Sequence, residues 1–139
     1  MARTETTARA LALTLIAASL AACTSVPLVD PPTIRGAATP EVTRAAILRA
    51  LVRGEYRIEE DVPGRVRGRR QTPGWFMTVD VFYGRDVSIR YADSGGLYYA
   101  TRSGVPYIHR GYVARAQELL MAIQAEIRLL SAVPYPRAP

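Results

Sequence analysis

The sequence is poor in the residues that build disulfides and metal centres. Its 139 residues contain one cysteine, Cys23, and one histidine, His109. A single cysteine cannot form a disulfide within the chain, so the hydrophobic core must carry the fold. One histidine and scattered carboxylates do not supply the three or four closely set ligands that zinc prefers. The composition therefore predicts neither a metal site nor a cofactor.

Lysine is absent, and all 18 basic residues are arginine. Together with the many alanines, this bias is typical of GC-rich coding rather than of a particular function. The formal net charge is +6 at neutral pH. A positive balance favours contact with anionic lipid headgroups, phosphates and acidic partners.

Long apolar runs are also lacking. The apolar run at residues 10–20 follows a short polar stretch that contains Arg3 and Arg9. It is too short to span a bilayer as a permanent helix, which takes about 20 residues. The pattern fits the hydrophobic region of a signal peptide at residues 1–22.

The run ends in Leu20-Ala21-Ala22-Cys23, which resembles the lipobox of bacterial lipoproteins. The resemblance implies signal cleavage between Ala22 and Cys23, and acylation of Cys23 as a membrane anchor. In the sorting pattern of Gram-negative lipoproteins, Asp after the cysteine favours the inner membrane. Thr24 therefore favours the outer membrane, facing the periplasm, where nucleic acid is not expected as a partner. The alternative is an ordinary secreted protein with a chance cysteine after its cleavage site.

The rest of the chain divides into a tether, one domain and a tail. Residues 23–39 hold the lipidated cysteine and a Pro-rich segment with little periodicity, which predicts a semi-extended tether. Residues 40–131 carry the periodic patterns of a single small domain. Residues 132–139 form a Pro-rich tail.

Within the domain, two helical stripes flank a stretch of strand patterns. Thr39 and Pro40 are N-terminal signals for a helix at 40–53. Apolar residues at three- and four-residue steps predict a second helix over about 111–131. Period-two alternation between Gly-containing turns predicts four strands. These strands cover 55–62, 65–71, 75–83 and 87–91. The order predicts an α+β fold, a two-layer sandwich in which both helices cover one face of a four-stranded antiparallel meander.

Several short motifs follow one another along this domain. They are Pro63-Gly64, Tyr83, the segment Ser88-Ile89-Arg90-Tyr91-Ala92-Asp93-Ser94, Leu97, Ile108-His109 and Tyr112. In this order and spacing they resemble a family of small proteobacterial lipoproteins. The sequence departs from that pattern at Tyr56, where the family often has Trp, and at Val113, where it often has Asn. The resemblance implies an anchored envelope protein and no particular activity.

Arginines are densest in the second predicted strand. They are Arg65, Arg67, Arg69 and Arg70, and alternation places the first three on one side. Such a row can bind phosphates of lipid or lipopolysaccharide, as arginine forks do. The alternative, which we favour, is cross-strand pairing with the acids of the preceding strand, because opposite charges lie so close in sequence. Those acids are Glu55, Glu59 and Asp61, whereas strict alternation puts Glu60 on the other side, with Tyr56 and Ile58.

The connection at residues 93–110 is rich in Gly and Tyr. A loop of this length is uncommon unless it is functional. Tyr98, Tyr99 and Tyr107 are its candidate contact residues, since tyrosine joins an apolar body to a polar tip. They would serve equally as a half-buried lid over the core, and both interpretations stay open. Two other tyrosines are expected in the core: Tyr91 and Tyr112.

His109 invites a catalytic interpretation. A nucleophilic triad would pair it with Asp93 and with Ser94 or Ser103. Nothing in the spacing fixes these groups within hydrogen-bond reach, and no Gly-x-Ser-x-Gly motif is present. We expect instead a structural histidine at the start of the last helix, grouped with the candidate contact residues, and no enzymatic activity.

The sequence therefore predicts a non-enzymatic envelope lipoprotein that binds another envelope protein or an anionic envelope lipid. The expected contact surfaces are the arginine strand 65–70 and the segment 94–108. The alternative is an outer-membrane carrier of lipid or a small ligand, with a cavity between sheet and helices. Its lining would be Trp75, Met77, Ile123 and Ile127, although small domains rarely have room for one because interiors pack densely.

Overall fold

The computed structural model describes residues 24–36 and 38–132. The predicted signal peptide, the cleavage site between Ala22 and Cys23, and nearly all of the predicted tail lie outside the described residues. The elements in chain order are β1 (Ser25–Pro27), β2 (Ile34–Arg35), α1 (Pro40–Arg53), β3 (Arg57–Val62), β4 (Arg65–Thr72), β5 (Trp75–Phe82), β6 (Asp86–Gly95), β7 (Ala100–Arg102), β8 (Val105–His109) and α2 (Arg110–Ala132).

The strands form two antiparallel sheets. Strands β3 to β6 follow one another as a meander, and β2 extends it to a five-stranded sheet in the order β2-β6-β5-β4-β3. Strands β1, β8 and β7 form a separate three-stranded sheet. The α+β class is confirmed, but the prediction of one four-stranded sheet was wrong. The additional strands come from two stretches that the sequence patterns marked as irregular, residues 24–39 and 93–110.

The predicted tether is paired to the domain at both of its strands. Ser25, Val26 and Pro27 face β8, and the ladder is extended by the amide of Leu28, which donates to the Pro106 carbonyl at 2.8 Å. Ile34 faces Val87 of β6. The side chains of this segment show no periodicity, and therefore the sequence predicted a semi-extended tether. The segment is held instead by hydrogen bonds between backbone groups.

Helix α1 begins and ends where its capping residues predict. The Thr39 hydroxyl accepts a hydrogen bond from the amide of Val42 at 3.4 Å, and Pro40 occupies the first turn. The amide of Gly54 donates to the Ala50 carbonyl at 2.9 Å and closes the last turn. The expected helix at 40–53 is therefore confirmed residue by residue.

The core lies between the two helices and one face of the five-stranded sheet, here called the inner face. Met77, Val79 and Val81 of β5 are fully buried there, as the alternation predicts. Gly68 of β4 also points inward, and a Cβ atom at this position would lie 2.7 Å from Cδ2 of Leu51. Any side chain at this position would therefore require the Leu51 side chain to shift.

A β-bulge in β3 changes the faces on which its acids lie. The register shifts between Ile58 and Glu60, so Glu60 faces Arg67 while Asp61 faces Val66. After the bulge the side chains exchange faces. Glu60 therefore reaches the outer face of the sheet, contrary to strict alternation, and Asp61 is directed towards α1, where it accepts two hydrogen bonds from Arg44.

No helix within the described residues is long and apolar enough to cross a membrane.

Candidate functional site

The outer face of the five-stranded sheet, on the side away from the helices, carries three of the four arginines of β4, namely Arg65, Arg67 and Arg69. Arg67 donates two hydrogen bonds to Asp80 of β5, both at 2.7 Å, in the bidentate geometry that suits guanidinium and carboxylate. Arg65 donates to Glu60 at 2.7 Å and also lies 3.7 Å from Asp80. The bond to Asp80 raises the pKa of Arg67 above its ordinary value. These two arginines are thus neutralised by their own sheet.

Arg69 differs from its neighbours on this face. Its guanidinium carbon lies 3.7 Å from the centre of the Phe76 ring, a cation–π arrangement. Its Nε donates to the side-chain oxygen of Gln71 at 3.3 Å. Among the described residues Arg69 has no carboxylate partner, so it is the member of the row whose charge is not offset.

Arg70 lies on the inner side of the strand, at the end of the core. It donates to Glu55 at 2.8 Å, and its guanidinium carbon lies 6.0 Å from the Trp75 ring centre. Arg115 of α2 stacks on the same ring at 4.6 Å. The alternation therefore correctly separated Arg70 from the row of three, and it joins a different cluster.

Arg65 and Arg67 pair with carboxylates of neighbouring strands, which favours cross-strand pairing over a free phosphate site. The carboxylate partners differ from those predicted. Of the three acids named from the sequence, only Glu55 pairs with a β4 arginine. Glu59 accepts from Arg57, and Asp61 accepts from Arg44. The principal partner, Asp80, was missed, although it follows Thr78 on the polar face of a strand whose alternation was correctly read.

The long connection predicted at 93–110 is a β-hairpin in its second half. Strands β7 and β8 pair through Ala100 with Tyr107 and through Arg102 with Val105. We call residues 98–109 the tyrosine hairpin. All of β7 is exposed, and β7 forms one edge of the three-stranded sheet.

The three candidate tyrosines of the hairpin have different surroundings. Tyr98 is 62% exposed and has a positive φ of 54°. Tyr99 is 45% exposed and stacks on Tyr91, with ring centres 4.9 Å apart and planes within 7°. Tyr107 is half-buried, and the guanidinium carbon of Arg102 lies 5.2 Å from its ring centre. Tyr99 therefore acts partly as a lid, whereas Tyr98 presents its ring to solvent.

Behind the hairpin, the aromatic contacts continue into the core. The Tyr91 ring meets the Tyr112 ring edge-on at 5.4 Å, and Tyr112 is fully buried. Burial raises the pKa of both hydroxyls. The Tyr112 hydroxyl has no hydrogen-bond partner in the described part of the chain.

His109 joins β8 to α2. Its Nδ1 accepts a hydrogen bond from the amide of Gly111 at 3.0 Å, which satisfies one free donor in the first turn of the helix. In a catalytic triad Nδ1 would instead donate to a carboxylate. Asp93 accepts from the amide of Ser94, and the hydroxyls of Ser94 and Tyr91 lie 3.0 Å apart. Over residues 24–36 and 38–132 no hydrogen bond joins His109 to Asp93, Ser94 or Ser103.

The residues assigned to the carrier hypothesis occupy the core. Met77 and Ile123 are fully buried and Ile127 is 7% exposed. The sulfur of Met77 lies 3.6 Å from the Tyr56 hydroxyl. Trp75 is half-buried beneath Arg115. Dense packing at these positions does not favour a ligand cavity between the layers.

Comparison with known proteins assigns no function. The chain matches no protein-family model and no curated protein. Within the described ranges, no group of three or more His, Cys, Asp or Glu side chains is placed to hold a metal ion.

Proposed function

We propose that this protein is a non-enzymatic lipoprotein of the bacterial envelope, anchored through acylated Cys23 and facing the periplasm from the outer membrane. The observation that carries the proposal is the sequence Leu20-Ala21-Ala22-Cys23 at the end of a short apolar run. The domain begins immediately after this site, since β1 starts at Ser25. Cleavage before Cys23 would therefore leave every described element of the domain in place.

The tyrosine hairpin is the proposed binding surface for another envelope protein. Tyr98 and Tyr99 are large and exposed, and tyrosines of this kind are frequent anchors of protein interfaces. The adjacent edge strand β7 also leaves backbone groups to which an extended segment of a partner can add. Anchoring confines the search for that partner to the membrane surface and raises its effective concentration there.

The arginine row is the weaker candidate. Arg65 and Arg67 already have carboxylate partners on their own sheet, so binding an external phosphate would break bonds before forming new ones. Arg69 alone gives one cation, which is too little for a phosphate-binding surface.

Site-specific photo-crosslinking tests the proposal. A photoreactive phenylalanine analogue replaces Tyr98 in the full-length protein, expressed in its native envelope, and captured proteins are identified by mass spectrometry. The matched control carries the same analogue at Gln71, an exposed residue of β4 on the outer face. Capture of one protein species from position 98 but not from position 71 is the expected result.

The lipid anchor is tested in the same cells. Intact mass should show the mature chain beginning at Cys23 with added acyl groups, and a Cys23→Ser variant should lose both the acyl groups and the capture. Equal labelling from positions 71 and 98 would contradict the hairpin as the binding surface. A mature chain that lacks acyl groups would contradict the anchor.

A further inference from the structure

The described domain begins directly after Cys23, so no flexible spacer separates it from the proposed lipid anchor. The amide of Arg110 donates to the Thr24 carbonyl at 2.9 Å, so the backbone is fixed to the start of α2 from the first residue after Cys23. Strand β1 then continues along β8 to Pro27. Consecutive Cα atoms lie only about 3.8 Å apart. A lipid attached at Cys23 would therefore hold this corner of the domain against the headgroups, which span only several ångströms between hydrocarbon and water.

An open groove lies at this corner. It has a volume of about 650 Å³, and its lining includes Val26 and Pro27 of β1, Val29 just after this strand, and Val113 and Ala114 of α2. We call it the N-terminal groove. Val29 is 63% exposed, so its side chain is available to a surface that covers the groove.

The charges around the groove suit an anionic membrane. No Asp or Glu is among the residues that line it, whereas Arg110 is, and Arg110 is exposed. Arginine beside apolar side chains is the composition of surfaces that settle at the boundary between headgroups and acyl chains, where apolar groups enter by about 5–10 Å.

We propose that the N-terminal groove rests on the membrane that holds the acylated Cys23, so that α2 and β1 face the lipid and the outer face of the five-stranded sheet faces away. This inference rests on the proposed lipid anchor and adds the orientation of the domain. The occupant of the groove is the surface of the bilayer, with its acyl chains against Val26, Val29 and Val113. The domain is therefore held flat at the membrane instead of hanging from a tether.

Fluorescence quenching by brominated lipids tests the orientation. The lipidated protein is reconstituted in vesicles of phosphatidylethanolamine and phosphatidylglycerol, with or without bromine on the acyl chains. An Ala114→Cys variant carries a fluorophore in the groove, and a Gln117→Cys variant repeats the measurement at a second groove position. The matched control is Gln71→Cys on the outer face. Because acylation consumes the thiol of Cys23, each introduced cysteine is the only reactive one.

The expected result is a loss of emission from the labels at 114 and 117 in brominated vesicles, with no loss from the label at 71. Quenching at 71 alone would overturn the proposal and place the outer face of the five-stranded sheet on the membrane. No quenching at any position would show a domain held away from the bilayer, including the case in which the acyl chains of Cys23 fold back into the groove. Intact mass is recorded on the same samples. Acylated protein without quenching at 114 refutes the orientation only, whereas absence of acylation refutes the anchor and with it this inference.

Discussion

The outer face of the five-stranded sheet and the tyrosine hairpin differ in how far their polar groups are already satisfied. On the outer face Asp80 is only 8% exposed and lies between Arg65 and Arg67, so the charges of these three residues are paired within the protein. In the hairpin, Tyr98 and Tyr99 have large exposed rings, and β7 is exposed throughout. A surface rich in charge can thus have most of its charges satisfied internally, whereas a nearly neutral surface can leave more apolar area exposed.

The largest effect is expected from breaking the outer face at Asp80. Asp80→Asn leaves Arg65 and Arg67 without their shared carboxylate and should lower the free energy of unfolding by about 2–3 kcal/mol, because charge-assisted hydrogen bonds are lost while the arginines stay partly hydrated. Urea unfolding followed by circular dichroism measures this change. The control Asp86→Asn alters an exposed carboxylate and should change stability by less than about 0.5 kcal/mol. Equal effects of the two variants would show that the outer face is not held by its ion pairs.

The second largest expected effect is a pH dependence of the free energy of unfolding that arises from a buried tyrosine, Tyr56. Burial raises the pKa of Tyr56 from its ordinary value of 10.0 to about 12. The folded state therefore holds the proton of the Tyr56 hydroxyl more tightly than the unfolded state does. The contribution of this group to stability is fully present below pH 10 and is lost as the pH rises towards 12. The loss should reach roughly 2 kcal/mol.

Urea midpoints measured across this pH range test the effect of Tyr56. A Tyr56→Phe variant should lose stability less steeply than the parent, while Tyr98→Phe should follow the parent because Tyr98 is exposed. Parallel curves for all three proteins would refute the assignment of this pH dependence to Tyr56.

A smaller effect on stability is expected from the two exposed tyrosines of the hairpin, Tyr99, which partly covers the core, and Tyr98, which does not. Tyr99→Ala removes the ring stacked on Tyr91 and should destabilise the protein by about 1 kcal/mol. Tyr98→Ala should leave stability unchanged within about 0.5 kcal/mol, since its ring is largely in solvent. Thermal unfolding of the two variants checks both values, and a greater loss for Tyr98 than for Tyr99 would reverse the roles given to them.

The smallest effect is expected at Arg69. Arg69→Ala removes a cation–π contact with Phe76 and a hydrogen bond to Gln71, but no ion pair within the described residues. A loss of about 0.5 kcal/mol is expected, as for cation–π contacts at exposed sites. Arg67→Ala, which deprives Asp80 of two hydrogen bonds, serves as the comparison in the same urea series and should cost more. Similar losses of stability in the two variants would mean that the ion pair between Arg67 and Asp80 contributes nothing to the stability of the protein.

The parts of the fold that the sequence predicted are those governed by local patterns. The helix at 40–53 follows from its caps, and the meander follows from alternation between turns. The three-stranded sheet could not be predicted in this way, because Ser25 to Pro27 pair with β8 at the other end of the domain through backbone groups that carry no side-chain signal. Pairing over such separations is set by tertiary context.

The sequence predicted which arginines of β4 lie together on one face, but it did not predict which carboxylates they pair with. Alternation correctly placed Arg65, Arg67 and Arg69 together, but the bulge after Ile58 exchanged the faces of Glu60 and Asp61. A bulge leaves little trace in a single sequence, so the acid partners were assigned to the wrong strand face. His109 was expected to fix the start of the last helix, and its contact with the amide of Gly111 does so.

Strand β1 has a consequence for the order in which the domain folds. It is the first part of the domain to leave the ribosome, yet its partner β8 is among the last. Strand β1 can therefore pair only after β8 has been synthesised. Once it does, the Thr24 carbonyl accepts from the amide of Arg110, so one hydrogen bond ties the first described residue to the start of the last helix. The three-stranded sheet is thus a late-closing part of the fold, because it joins segments far apart in the chain and pays the entropy of closing that loop.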